Sequence, residues 1–187
     1  FWIPVLLAIL LIVHLSFGLR MHHLIHTDEV WTMNIISDTT TGLLHSILTQ
    51  DNHPPLYYLL LRQWTAITAA GIPMMRVLSF IFGGITLAFL AIFYRNYKPR
   101  ELTFILGLIA TNPLFIYYSA TVRPYALVVL LATVLTVCAL RLRQIDAKAA
   151  NSMTESHLYW KATYYISGFL LGLTHYFGTL YVWLIVI

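Results

Sequence analysis

Five stretches of this chain carry no Asp, Glu, Lys or Arg: residues 1–19, 77–94, 102–122, 124–140 and 162–187. About 20 largely apolar residues suffice to cross the hydrocarbon core of a bilayer. A backbone in lipid must satisfy its own hydrogen bonds, and a helix does so within one segment. These runs therefore predict an all-α integral membrane protein, a multi-span helical bundle. Composition agrees: of 187 residues, 59% are hydrophobic and 10% charged, against about 25% charged in soluble domains. A soluble enzyme, a disordered chain and a nucleic-acid binder are excluded on that ground. The net charge of +4 is read as topology, not as a nucleic-acid footprint. Cys138, the single cysteine, offers neither a disulfide framework nor a Cys-based metal site. Phe1 and Ile187 both lie in apolar runs, which predicts a piece of a longer protein.

The few charges set the expected sidedness. Arg95, Lys98 and Arg100 form one basic loop; Arg141, Arg143, Lys148 and Lys161 mark a second, over 141–161. The positive-inside rule puts both in the cytoplasm. The first loop, with Asp28, Glu29, Asp38 and Asp51 against Arg20, then lies outside. Residues 54–72 carry Arg62 and Gln63 in mid-segment, and a central Arg costs about 2.5–3.5 kcal/mol on insertion. An amphipathic helix in the interface, with Tyr57, Tyr58 and Trp64 at headgroup depth, is cheaper. Arg62 and Arg76 then anchor it among headgroups. The expected spans are about 1–19, 77–94, 102–118, 124–140, 162–175 and an incomplete 177–187. An extracytoplasmic loop with interfacial helices fills 20–76. The expected location is the plasma (inner) membrane, multi-pass, with membrane lipids as partners and no nucleic acid.

Under this topology the polar residues gather on the outer face: HTDEVW (26–31), QDNHPPLYY (50–58), YYSATVRPY (117–125) and THYF (174–177). Each has a plainer reading. Asp28 and Glu29 suit a solvated loop. His53 before two prolines suits a helix start. Arg123 lies between apolar runs, where an Arg is a functional candidate or snorkels to headgroups. His175 suits a packing role, and the tyrosines an interfacial belt. His22, His23 and His26 match no zinc spacing.

These motifs, in this order, resemble the polytopic GT-C glycosyltransferases, closest to the bacterial branch related to protein O-mannosyltransferases and lipid A aminoarabinose and core-sugar transferases. The residues that carry the resemblance are the Asp28-Glu29 pair, DNHPPLYYLLLRQW (51–64), RVLSF (76–80), NPLFIYYS with RPYAL (112–127) and GLTHYFG (172–178). The resemblance implies a GT-C-like module, of which this chain is the N-terminal part. It implies sugar transfer from a polyprenyl-phosphate donor to a glycan, lipid or protein acceptor, with inversion, on the extracytoplasmic face. It carries the catalytic acid of the first loop onto Asp28, with Glu29 beside it, and a donor-phosphate contact onto His53. Many relatives have an acidic residue just before the position of Arg123. Here Ala120, Thr121 and Val122 precede it, with no carboxylate among them, which argues against a metal shared between the two loops and leaves Arg123 without an acidic neighbour.

Inverting transfer needs a base for the acceptor hydroxyl and positive charge for the departing phosphate. Asp28 is the expected base and Arg123 the expected phosphate ligand, its planar guanidinium gripping oxygens in two places. Glu29, His53, Tyr57, Tyr125 and His175 are the other expected substrate-binding residues, with Tyr58 beside them. No cofactor is required; a divalent cation has no support in the sequence. Two other classes remain open: a transporter or flippase of a lipid-linked or small solute, and a non-catalytic member that binds a lipid carrier.

Overall fold

The structure is a computed structural model and describes residues 9–12, 14, 16, 25–49, 53–68, 71–147 and 155–185. Most of the expected first span, with Arg20, His22, His23, Asp51 and Lys148, lies outside the described residues. Among the described residues every regular element is an α-helix. Three are short and precede the long apolar ones: α1 (Thr27–Ser37), α2 (Thr40–Thr49) and α3 (Leu56–Ile67). Then follow α4 (Ile72–Phe93), α5 (Pro99–Ala110), α6 (Pro113–Ser119), α7 (Tyr125–Asp146), α8 (Glu155–Gly172) and α9 (Tyr176–Ile185).

Helices α4 and α7, 22 residues each, are long and apolar enough to cross a membrane. At 1.5 Å per residue each reaches about 33 Å, against a hydrocarbon core of about 30 Å. The expected span at 102–118 is instead two helices, α5 and α6, bent by 60°. The cause is local. Pro113 disfavours helical backbone at Asn112, and the Asn112 Oδ1 accepts from the amides of Leu114 (3.0 Å) and Phe115 (3.1 Å). That cap starts a new helix in a new direction. The expected span 124–140 continues as α7 through Arg141 and Arg143 to Asp146. Likewise α8 begins at Glu155 and includes Lys161, so much of the expected 141–161 loop is helical. Charge marks where lipid ends and does not stop a helix, since Arg and Lys are good helix formers.

The helices bury three apolar clusters. In the first, Ile35 and Ile36 of α1, Leu43 and Ile47 of α2 and Leu61 of α3 meet Met75 and Leu78 of α4. The second joins Leu10 to Leu87 and Ala91 of α4, Leu102 and Leu106 of α5 and Phe115 of α6. The third packs Leu135, Cys138 and Leu142 of α7 against Tyr164 and Leu171 of α8. Truncating a fully buried Leu such as Leu61 costs about 2–5 kcal/mol.

Two expectations for the first loop are corrected here. Tyr57 and Tyr58 do not present their rings to headgroups; both are fully buried inside the protein. They share a face of α3 with Leu61, one turn on, and that face packs on α1 and α4. The Tyr57 hydroxyl meets Ser79 Oγ of α4 at 3.2 Å. Arg76 is likewise no headgroup anchor. It is 4% exposed and points into the protein, for a reason that lies in the site.

Candidate functional site

A carboxylate at the start of α1 ties three parts of the chain together. Glu29 is fully buried. Its Oε1 accepts from Arg76 Nε (2.9 Å) and from the Val122 amide (2.9 Å). Its Oε2 accepts from Arg76 Nη2 (2.6 Å) and from the His26 amide (3.2 Å). The Glu29 amide in turn donates to the His26 carbonyl (2.9 Å), closing the first turn of α1. Burial would raise the Glu29 carboxyl, but the Arg76 guanidinium and the two amides outweigh it and hold the group below its usual value. Two parallel N–H···O bonds to one guanidinium form the strongest type of ion pair available to protein side chains. Both oxygens are taken by protein donors, so Glu29 enters the site as part of its frame.

That frame places Asp28 and Arg123 at one cleft. Asp28 is next to Glu29, and Arg123 follows Val122. Their side chains approach to 3.9 Å between Oδ2 and Nη2, with Asp28 65% exposed and Arg123 12%. This is longer than the about 2.7–2.9 Å of a formed charge-assisted hydrogen bond. Arg123 therefore has an acidic partner after all, supplied from α1 instead of from the preceding residue. Its Nε is buried with no acceptor among the described residues. The cleft, of about 220 Å³, is completed by His26, Tyr117, Tyr118, Thr121 and Tyr125.

A second group of rings continues from Tyr125, whose ring lies 4.6 Å from that of Tyr118 and 5.7 Å from that of His175. The His53 ring meets His175 edge-on at 4.7 Å. The backbone sets this pairing: the Leu56 amide, just after Pro54 and Pro55, donates to the Leu173 carbonyl at 3.0 Å. The start of α3 is thereby pinned to the turn between α8 and α9. Nδ1 of His175 accepts from the Phe177 amide at 3.1 Å, which leaves Nε2 to carry the ring proton. Burial, with His53 and Arg123 nearby, lowers the His175 pKa, so the ring is neutral near pH 7.

Of the expected site residues, the fold brings Asp28, Arg123 and Tyr125 to the cleft, with Glu29 behind them and His53 and His175 beside Tyr125. Tyr57 stays in the core, its hydroxyl pushed upward in pKa by burial. Sequence reasoning missed the pairing of Arg76 with Glu29 and the lining role of His26, Tyr117 and Thr121. An Arg one turn into an apolar helix was the available signal for Arg76. Among the described residues no group of three or more His, Cys, Asp or Glu side chains is placed to hold a metal ion. Comparisons with protein-family models, with curated proteins and with solved structures find no match to the chain.

Proposed function

We propose that this chain is the membrane-embedded catalytic part of a glycosyltransferase that moves a sugar from a polyprenyl-phosphate donor to a glycan, lipid or protein acceptor. The protein is multi-pass in the plasma membrane with its cleft on the extracytoplasmic face. The observation that carries the reading is the meeting of Asp28 and Arg123 at 3.9 Å in a cleft walled by tyrosines. One group accepts a proton, the other holds an anion, and both stand near the start of an apolar helix that lipid can cover.

The acceptor hydroxyl attacks the anomeric carbon while the carbon–oxygen bond to phosphate breaks. Asp28 takes the hydroxyl proton, and the bonding electrons leave with the polyprenyl phosphate. Arg123 faces the charge growing on that phosphate with donors already in place. His175, neutral and fixed through Nδ1, offers its Nε2 proton as a further donor. The buried Glu29–Arg76 pair keeps residues 28 and 123 in register.

The test uses membranes containing the protein and a radiolabelled polyprenyl-phosphate sugar. Transfer is expected, and Asp28→Asn is expected to lower it by about 10²–10⁴-fold, the usual contribution of a positioned base. Wild-type transfer by Asp28→Asn overturns the assignment of the base. Movement of the lipid across the bilayer without transfer supports a flippase instead, and binding alone a non-catalytic carrier protein.

A further inference from the structure

At the other end of α4, about 25 Å from Arg76 by helix rise, the protein has a different kind of surface. Leu90 and Tyr94, Tyr97 of the following turn, and Leu106 and Ile109 of α5 line an almost wholly apolar groove of about 310 Å³. It follows α5 from Leu102 to Ile109, about 10 Å at 1.5 Å per residue. The neighbouring face of α5, with Phe104, Ile105 and Leu108 exposed, is suited to lipid chains. Beside the groove is a notch of about 150 Å³ that shares Tyr94 and Tyr97 as walls and adds Arg141 and Gln144 of α7.

We propose that groove and notch together hold one anionic phospholipid, its acyl chain along α5 and its phosphate on Arg141. The inference goes beyond the transfer reaction and uses none of its residues. Polarity changes where a phospholipid's does, across the two shared tyrosines. Arg141 is pre-positioned: its guanidinium lies 4.5 Å over the Phe93 ring, and one Nη1 donates to Gln144 Oε1 at 3.1 Å. A guanidinium stacked on a ring keeps its edge donors for an anion. The charge is one-sided. Arg95 and Lys98 stand in the connection between α4 and α5 and Arg100 in the first turn of α5, against Glu101 alone, which pairs with Lys98 at 3.4 Å. Among the described residues no carboxylate pairs with Arg95, Arg100 or Arg141. A zwitterionic lipid brings its own ammonium with its phosphate and would leave these cations uncompensated, whereas a headgroup of net negative charge answers them.

The experiment places a reporter in the shared wall, Tyr97→Trp, where the native side chain is exposed. The protein is reconstituted in phosphatidylcholine containing, at equal low mole fraction, phosphatidylglycerol or phosphatidylcholine with brominated chains. Quenching is read as the difference from the parent chain, which has 5 tryptophans of its own. Brominated phosphatidylglycerol is expected to quench the reporter more strongly, with an apparent affinity about fivefold higher per engaged basic residue. Arg141→Gln is expected to abolish the excess while leaving quenching by phosphatidylcholine intact. Equal quenching by the two lipids overturns the proposal. So does an excess that survives Arg141→Gln. If that variant does not fold, an excess unchanged in the Arg95→Gln, Arg100→Gln double variant overturns it.

Discussion

Replacing Glu29 by Ala should unseat both the fold and the site. The substitution leaves the Arg76 guanidinium, 4% exposed, without its two carboxylate bonds. Removing one partner of a buried ion pair costs about 3–5 kcal/mol. The amides of Val122 and His26 also lose their acceptor, at about 1–3 kcal/mol for each that water cannot reach. For a chain of this size the pair alone corresponds to a fall in Tm of roughly 6–20 °C. Arg76→Met should be similarly costly, because it leaves a buried carboxylate with only two amide donors. The double variant Glu29→Ala, Arg76→Met has no unpaired charge and should lose less than the sum of the two single changes, with a coupling near the upper end of about 0.5–3 kcal/mol. The assay is thermal or SDS unfolding in mild detergent, followed by helical circular dichroism. Additivity within about 0.5 kcal/mol would refute the reasoning, because it would mean that Glu29 and Arg76 do not interact.

The same pair makes stability depend on acidity. The folded Glu29 pKa lies below its ordinary 4.5, so its contribution is complete above about 4.5 and is lost as pH falls through the folded value. The His175 pKa lies below its ordinary 6.5, so protonation favours unfolding and its contribution fades as pH falls below 6.5. Unfolding midpoints between pH 8 and 3, on a scale where such groups titrate near about 4 and 6.5, should therefore drop in two stages. Glu29→Gln should remove the lower stage and His175→Phe the upper. Gly178→Ala should destabilise by about 1–3 kcal/mol through overpacking, since its new Cβ would meet the Leu171 carbonyl oxygen at 2.6 Å; an unchanged Tm would show that α8 and α9 do not pack this closely. Cysteines placed at Asp51 and Lys98 should react with impermeant reagents from opposite sides of the membrane, with buried Cys138 giving little background. Labelling from the same side would overturn the outside placement of the first loop.

Much of the architecture was legible from local sequence. Hydropathy is a sum over neighbours along the chain, so the apolar stretches now in α4 and α7 announced helices long enough to cross a bilayer without reference to anything else. Motif spacing likewise singled out Asp28, Arg123, Tyr125, His53 and His175. The break between α5 and α6 was written in Asn112 and Pro113, but an uncharged run conceals a bend because hydropathy is blind to backbone direction.

What the sequence could not decide is which polar groups face one another. Tyr57 and Arg76 resembled belt and anchor residues, because an amphipathic residue looks the same whether its polar tip reaches water or a buried partner. Only the packing of α3 on α4 put Tyr57 against Ser79. Only the docking of α1 put Glu29 on Arg76, 47 residues away, and on the Val122 amide, 93 residues away. Charge pairing falls off with distance in space and takes no account of distance along the chain. The sequence therefore determined that this chain is apolar enough for a membrane and where its rare charges stand. The tertiary structure decided that one carboxylate of the Asp28–Glu29 pair is locked into the frame and the other is exposed at the cleft.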